Sequence, residues 1–131
     1  MKLDHIGIAT SEITEALELW QDRLGLSLDH TEEVTEQGVR VRMLALGDTQ
    51  VELLEPLHGD TPVGRFLKKR GAGLHHIAIA VDDIRRELSK LRASGARLID
   101  EEPRVGAAGC LVAFVHPTST GGVLLELVQR P

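Results

Sequence analysis

Aromatic residues are almost missing from this chain: Trp20, Phe66 and Phe114 are all it has, and there is no tyrosine. Cys110 is its single cysteine. Lysine and arginine total 15 against 20 aspartates and glutamates, which leaves a formal charge of −5. No apolar run approaches the roughly 20 residues that a membrane helix needs. Each scarcity excludes something. Scarce aromatics and an acidic balance argue against nucleic acid, whose recognition asks for clustered basic residues and stacking surfaces. One cysteine cannot form an intrachain disulfide, and the N-terminus has neither the basic stretch nor the apolar stretch of a signal peptide. The expectation is a soluble, cytoplasmic protein, with no nucleic-acid partner and no membrane.

What the chain does have is repetition. A length of 131 residues suits one domain and is short for two independent ones. KLDHIGIAT at 2–10 returns as GLHHIAIAV at 73–81, with His5 and His76 in the same place, 71 positions apart. A helical pattern follows each copy: Ile13, Ala16, Leu17 and Trp20 after Ser11, then Ile84, Leu88 and Leu91 after Asp82-Asp83. Gly25 and Gly95 end the two patterns. A hydrophobic-Glu-Leu triplet closes each half, Val51-Glu52-Leu53 and Leu125-Glu126-Leu127. Self-similarity at a fixed period reads as duplication of one structural unit.

The first half reads as a strand at 3–9, a helix at about 12–24 with Ser11 as N-cap, and strands at 26–34, 39–46 and 49–55. The stretch from Pro56 to Gly73, broken by Gly59, Pro62 and Gly64, reads as a crossover with a short helix at 63–70 that ends on Lys68-Lys69-Arg70. The second half repeats the plan with a strand at 74–81, a helix at 83–94, and strands at 97–100, 111–116 and 123–129. The expected fold class is therefore α+β, two tandem βαβββ modules curling into a cup-like, partly closed barrel. Module one spans about 1–56, the crossover about 57–72 and module two about 73–131, as a single domain over 1–131.

Strand alternation groups the polar residues. If Ile6 and Ile8 go to the core, His5 lines the other face with Gly7 and Ala9. Glu52 shares a face with Gln50 and Leu54, and Glu126 with Leu124 and Val128. A carboxylate on an otherwise apolar face is costly unless it is paired or metal-bound. One such histidine alone reads as a structural residue, and one such glutamate as solvent-facing. Two of each in duplicated contexts read as ligands, because divalent ions accept imidazole nitrogen and carboxylate oxygen together. His5, Glu52, His76 and Glu126 are the candidate metal ligands, and His75 faces the other way. A carbonyl polarised by such an ion acidifies the adjacent carbon, and a glutamate beside it can take the proton. Two glutamates about a pseudo-twofold axis suggest removal from one face and return to the other, which is epimerisation.

DHIGIA at 4–9, EQGV at 36–39, ELLEPL at 52–57, GLHHIAIAVDDI at 73–84, EEPRVGAAG at 101–109 and HPTSTGGVLLEL at 116–127 together resemble the vicinal oxygen chelate superfamily of glyoxalases, bleomycin resistance proteins and dioxygenases. Within it the resemblance is closest to the methylmalonyl-CoA epimerase family. GLHHIA and HP…GGVLLEL are the specific stretches, while DHIGIA is common across the superfamily.

The resemblance implies an isomerase that interconverts the 2R and 2S forms of methylmalonyl-CoA through a metal-stabilised enolate, acting as a homodimer on an acyl-CoA substrate. It implies a divalent ion on His5, Glu52, His76 and Glu126, with Co or Mn ahead of Ni, Zn or Mg. Glu126 is the candidate for one catalytic base and Glu52 for the other. Some members carry glutamine where Glu52 stands, and some carry a basic glutamate on the strand beside EQGV, where this chain has Val41. Gln50 is a neighbour of the site. Backbone amides of Gly106–Gly109 and His116 are candidates to meet the substrate carboxylate, and Arg40, Arg42 and Arg104 to meet coenzyme A phosphates. The alternatives are a glyoxalase I-type lactoylglutathione lyase and a metal-free small-molecule binding module of the same superfamily. An extradiol dioxygenase fits less well, since its ion is held by two histidines and one glutamate and the fourth ligand here would take an oxygen or substrate position.

Overall fold

The computed structural model describes all residues, Met1–Pro131. In chain order the elements are β1 (Lys2–Ala9), α1 (Ile13–Leu17), β2 (Leu28–Val34), β3 (Val39–Leu46), β4 (Thr49–Pro56), α2 (Pro62–Arg70), β5 (Gly73–Ala80), α3 (Ile84–Ala93), β6 (Arg104–Val105), β7 (Leu111–Val115) and β8 (Leu125–Gln129). Two βαβββ units joined by a helical crossover are what the duplicated motifs predict. The chain divides into two compact units, His5–His75 and Met1–Asp4 with His76–Pro131.

In the first unit the strands run in the order β2-β3-β4-β1. β2, β3 and β4 form an antiparallel meander, and β1 joins β4 in parallel. Leu44, Val51 and Leu53 are fully buried beneath Ile13, Ala16, Leu17 and Trp20, with Ile6 and Ile8 packed against the same cluster. Each such side chain stabilises by about 1.5–3 kcal/mol when buried. That cluster takes the even-numbered residues of β1 and the odd-numbered residues of β4, so their opposite parity is left for the other face.

The helix after β1 departs from expectation. It is α-helical only over Ile13–Leu17 and continues as a π-helix over Glu18–Arg23. Trp20 and Leu26 both pack on the cluster through this wider winding, which a count of residues per turn does not reveal. Ser11 is not the cap. The Ile13 amide donates to Glu55 Oε2 on β4 at 2.8 Å, and a carboxylate at the positive end of a helix binds more strongly than a local hydroxyl.

In the second unit the order is β5-β8-β7-β6, with β5 and β8 parallel and the remaining pairs antiparallel. Ile84, Leu88, Ala113 and Leu127 form its helix-facing core. Here α3 follows expectation, with the Asp83 side chain accepting from the Arg86 amide at 3.1 Å. The strand expected at 97–100 is instead an isolated bridge between Leu98 and Val115. The Asp100 carboxylate accepts the Phe114 amide at 2.8 Å and so displaces a backbone partner, and the paired strand forms later, at Arg104–Val105. Asp4 is buried and receives Arg130 through two hydrogen bonds of 2.8 and 3.0 Å. Those bonds hold the Arg130 guanidinium above its usual pKa.

Candidate active site

Register places each histidine beside its glutamate in the same way twice. In the first half Gly7 stands opposite Glu52 on the parallel strand, and His5 lies two residues before Gly7. In the second half Ala78 stands opposite Glu126, and His76 lies two residues before Ala78. The residue opposite each glutamate is therefore one of the smallest available, which leaves the histidine room to lean across. His5 Nε2 comes to 3.5 Å from Glu52 Oε1, and His76 Nε2 to 3.7 Å from Glu126 Oε1.

These four side chains are buried although they are polar: His5 is 4% exposed, Glu52 6%, His76 3% and Glu126 5%. Their neighbours on the same face are apolar. Ala9, Val41, Met43 and Leu54 are buried in the first half, and Ala78, Val112 and Val128 in the second. Burying an ionisable group among such neighbours costs several kcal/mol unless a partner offsets it. Two donors on one first-row divalent ion, each at about 2.0–2.2 Å, are about 3.0–3.5 Å apart. The His5–Glu52 spacing sits at the upper end of that range, and the His76–Glu126 spacing of 3.7 Å lies just beyond it.

The halves differ in what stands across the next strand. Met43 faces Glu52, whereas Phe114 faces Glu126 and meets the His76 ring edge-on at 5.5 Å and 87°.

Several other expected residues are engaged elsewhere. The Gln50 amide donates to Asp29 at 3.3 Å and stands opposite His5 in register, a neighbour of the pair. His75 packs edge-on against Phe66 at 4.9 Å. His116 accepts from the Thr118 amide at 3.1 Å and holds the turn at Pro117–Ser119. In the Gly106–Gly109 loop, the Gly106 amide is committed to the Cys110 carbonyl. Arg40 and Arg42 lie on the face of β3 opposite to Met43. Arg40 bonds Glu33 and Glu55, which together hold its guanidinium above its usual pKa, and Arg42 donates to the Val41 carbonyl at 2.9 Å. Arg104 Nε is 3.3 Å from Asp100. Two residues on the face that carries Glu52 were missed from sequence: His30 and Glu32 on β2, with His30 Nε2 at 2.7 Å from Glu32 Oε1. Their two-residue spacing on a strand is the signal that marks them, but only the register of β2 says which face they take.

Residues 4–114 match the family model of the Glyoxalase/Bleomycin resistance protein/Dioxygenase superfamily, and the chain belongs to it. The mitochondrial methylmalonyl-CoA epimerase of Dictyostelium discoideum is 38% identical over 130 residues, covering 98% of this chain and 78% of that one. The crystal structure of methylmalonyl-CoA epimerase from Mycobacterium tuberculosis superposes with a TM-score of 0.95 at 39% identity, over 99% of this chain and 88% of that one. A methylmalonyl-CoA epimerase solved in complex with methylmalonyl-CoA and NH4+ gives 0.93 at 38% identity, over 98% and 94%. Within the superfamily, the chain's family is thus that of the methylmalonyl-CoA epimerases, which are isomerases, and its two βαβββ modules are the vicinal oxygen chelate fold.

Proposed function

We propose that this protein interconverts the 2R and 2S forms of methylmalonyl-CoA, with one divalent ion held by His5, Glu52, His76 and Glu126. The observation that carries the reading is the pair of buried His–Glu sets in equivalent register, in a chain whose relatives are named for this epimerisation. His5, Glu52 and His76 each offer one ligand atom from a buried position, and the buried Glu126, 3.7 Å from His76, is the proposed fourth. When bound, the ion supplies Lewis acidity at the thioester carbonyl, which lowers the cost of removing a proton from the adjacent carbon. Co and Mn are the ions of choice, with Ni, Zn and Mg behind them.

The chain's own residues do the rest. Glu126 takes or gives the proton on one face of the carbon, and Glu52 is the candidate in the ligand set for the other. Apolar neighbours such as Val41, Met43, Leu54 and Val112 exclude water and strengthen every electrostatic contact beside them. The protein works as a single vicinal oxygen chelate domain that pairs into a homodimer in the cytoplasm, where the buried Cys110 stays reduced.

The test is α-proton exchange of methylmalonyl-CoA in deuterated water, followed by NMR, on protein stripped of metal and reloaded with Co or Mn. Metal-dependent exchange and inversion, lost in Glu126→Gln, are expected. A folded protein inactive under every ion would sink the reading and turn attention to glutathione hemithioacetals, the substrates of the lactoylglutathione lyase alternative.

A further inference from the structure

The face that carries Glu52 holds one more pair of titratable side chains, which the steps above leave unused. His30 and Glu32 lie two apart on β2 and so point the same way. His30 stands opposite Met43, and Met43 stands opposite Glu52. Glu32 stands opposite Val41, and Val41 opposite Leu54. Directly opposed residues share a face of a sheet, so the His30–Glu32 dyad looks out on the same side as Glu52, two strands away. Two strand spacings amount to roughly 10 Å between backbones. Between them lies an apolar floor of Met43 and Val41, both buried. A small acyl group resting on that floor has Glu52 at one edge and His30 at the other.

The chemistry of the dyad suits proton transfer. At 2.7 Å from the Glu32 carboxylate, His30 Nε2 is the donor nitrogen, and this leaves the lone pair on Nδ1. The side chains are 37% and 32% exposed, so the imidazole can trade its proton with water. An imidazole ring has one nitrogen that can accept a proton and one that can donate it. Glu52, by contrast, is already assigned to the proposed ligand set, whereas the His30–Glu32 dyad lies outside it.

We infer that His30, oriented by Glu32, is the proton-transfer group for the second face of the substrate's α-carbon, and that Glu52 remains a ligand. The inference rests on the epimerase reading. In one direction Nδ1 accepts the α-proton: the C–H bond breaks, its electron pair moves onto the thioester oxygen, and His30 becomes an imidazolium beside Glu32. A protonated Glu126 then gives its proton to the opposite face, and the electron pair returns to form the new C–H bond. The reverse direction exchanges the two roles. His30 is catalytic in this scheme, and Glu32 is a positioning residue.

The experiment compares pure 2R and pure 2S substrate in deuterated water with metal-loaded wild type, His30→Gln, Glu32→Gln and Glu52→Gln. Both isomers exchange and invert with the wild type. With His30→Gln, one isomer keeps its deuterium uptake with retention of configuration, the other loses it, and inversion falls about 100-fold or more. Glu32→Gln shows the same isomer-specific pattern with a smaller loss. A His30→Gln enzyme that inverts normally, or that loses uptake equally from both isomers, overturns the assignment. The isomer-specific pattern appearing in Glu52→Gln instead returns the role to Glu52. A wild type that neither exchanges nor inverts overturns the epimerase reading itself, and the dyad's role with it.

Discussion

The two modules set up the same histidine–glutamate geometry with different supports. In both, the residue three positions after the strand glutamate reaches back to the first amide of the helix: Glu55 Oε2 takes Ile13 N–H at 2.8 Å, and Gln129 Oε1 takes Ile84 N–H at 2.9 Å. In the first module that acceptor is charged, is tied to Arg40 and through it to Glu33, and is the side-chain acceptor at the helix start. In the second it is a neutral amide, backed by Asp83 as a local cap on a regular helix. The difference teaches that the strand register is what duplication preserved. The means of anchoring the helix above it, and the side chain facing each glutamate, have diverged.

Replacing the strand glutamates is the strongest way to break the apparent symmetry. Glu126→Gln is expected to lower epimerisation by about 10²–10⁴-fold, measured by the NMR exchange assay. Glu52→Gln keeps an oxygen donor for the ion and is expected to lose about 10-fold. Equal losses would make the halves chemically equivalent. Next come the histidines: His5→Ala and His76→Ala should each weaken Co or Mn binding by about 100-fold or more, read by titration calorimetry with circular dichroism as the check on folding. Unequal losses would show that the ion leans on one half.

The turns sharpen the contrast further. Gly38, at φ +67, would bring a Cβ to 2.5 Å from Thr61 Cγ2, so Gly38→Ala is expected to destabilise by about 1–3 kcal/mol. Gly109, at φ +71, has nothing within 4 Å of an added Cβ, and Gly109→Ala should cost about 1 kcal/mol from backbone strain alone. Urea unfolding with unchanged m-values measures both. The smallest effects belong to the helix anchors. Glu55→Ala and Gln129→Ala should each cost about 1 kcal/mol, while exchanging them, Glu55→Gln with Gln129→Glu, should change stability by less than either.

Much of this was legible because alternation and duplication are local properties of a string. The parity of His5 with Gly7 and Ala9, and of Glu52 with Gln50 and Leu54, follows from strand geometry once Ile6 and Ile8 go to the core, and the structure bears it out. What stayed hidden depends on partners far along the chain. Ser11 lost the cap to Glu55, which sits 42 residues from Ile13. The strand expected at 97–100 yielded to the Asp100 side chain, and Arg40 was taken up by Glu33 and Glu55 on the helix face. His30 and Glu32 carry no mark of their face until β2 is aligned with β3, because a one-residue slip reverses it.

The parallel pairing of the first and last strand of each module has a consequence for the order of assembly. Within a module the histidine enters on the opening strand and its glutamate on the closing one, so each histidine–glutamate pair spans almost the whole module and is among its most non-local contacts. Such contacts form late, after the intervening loop entropy has been overcome. During synthesis the first pair can close while β8 is still unmade, and a truncated chain ending before Leu125 would carry one finished half-site and one histidine without its glutamate. If the proposed ion binds, its uptake would then report on completion of the last strand and so serve as a readout of a finished chain.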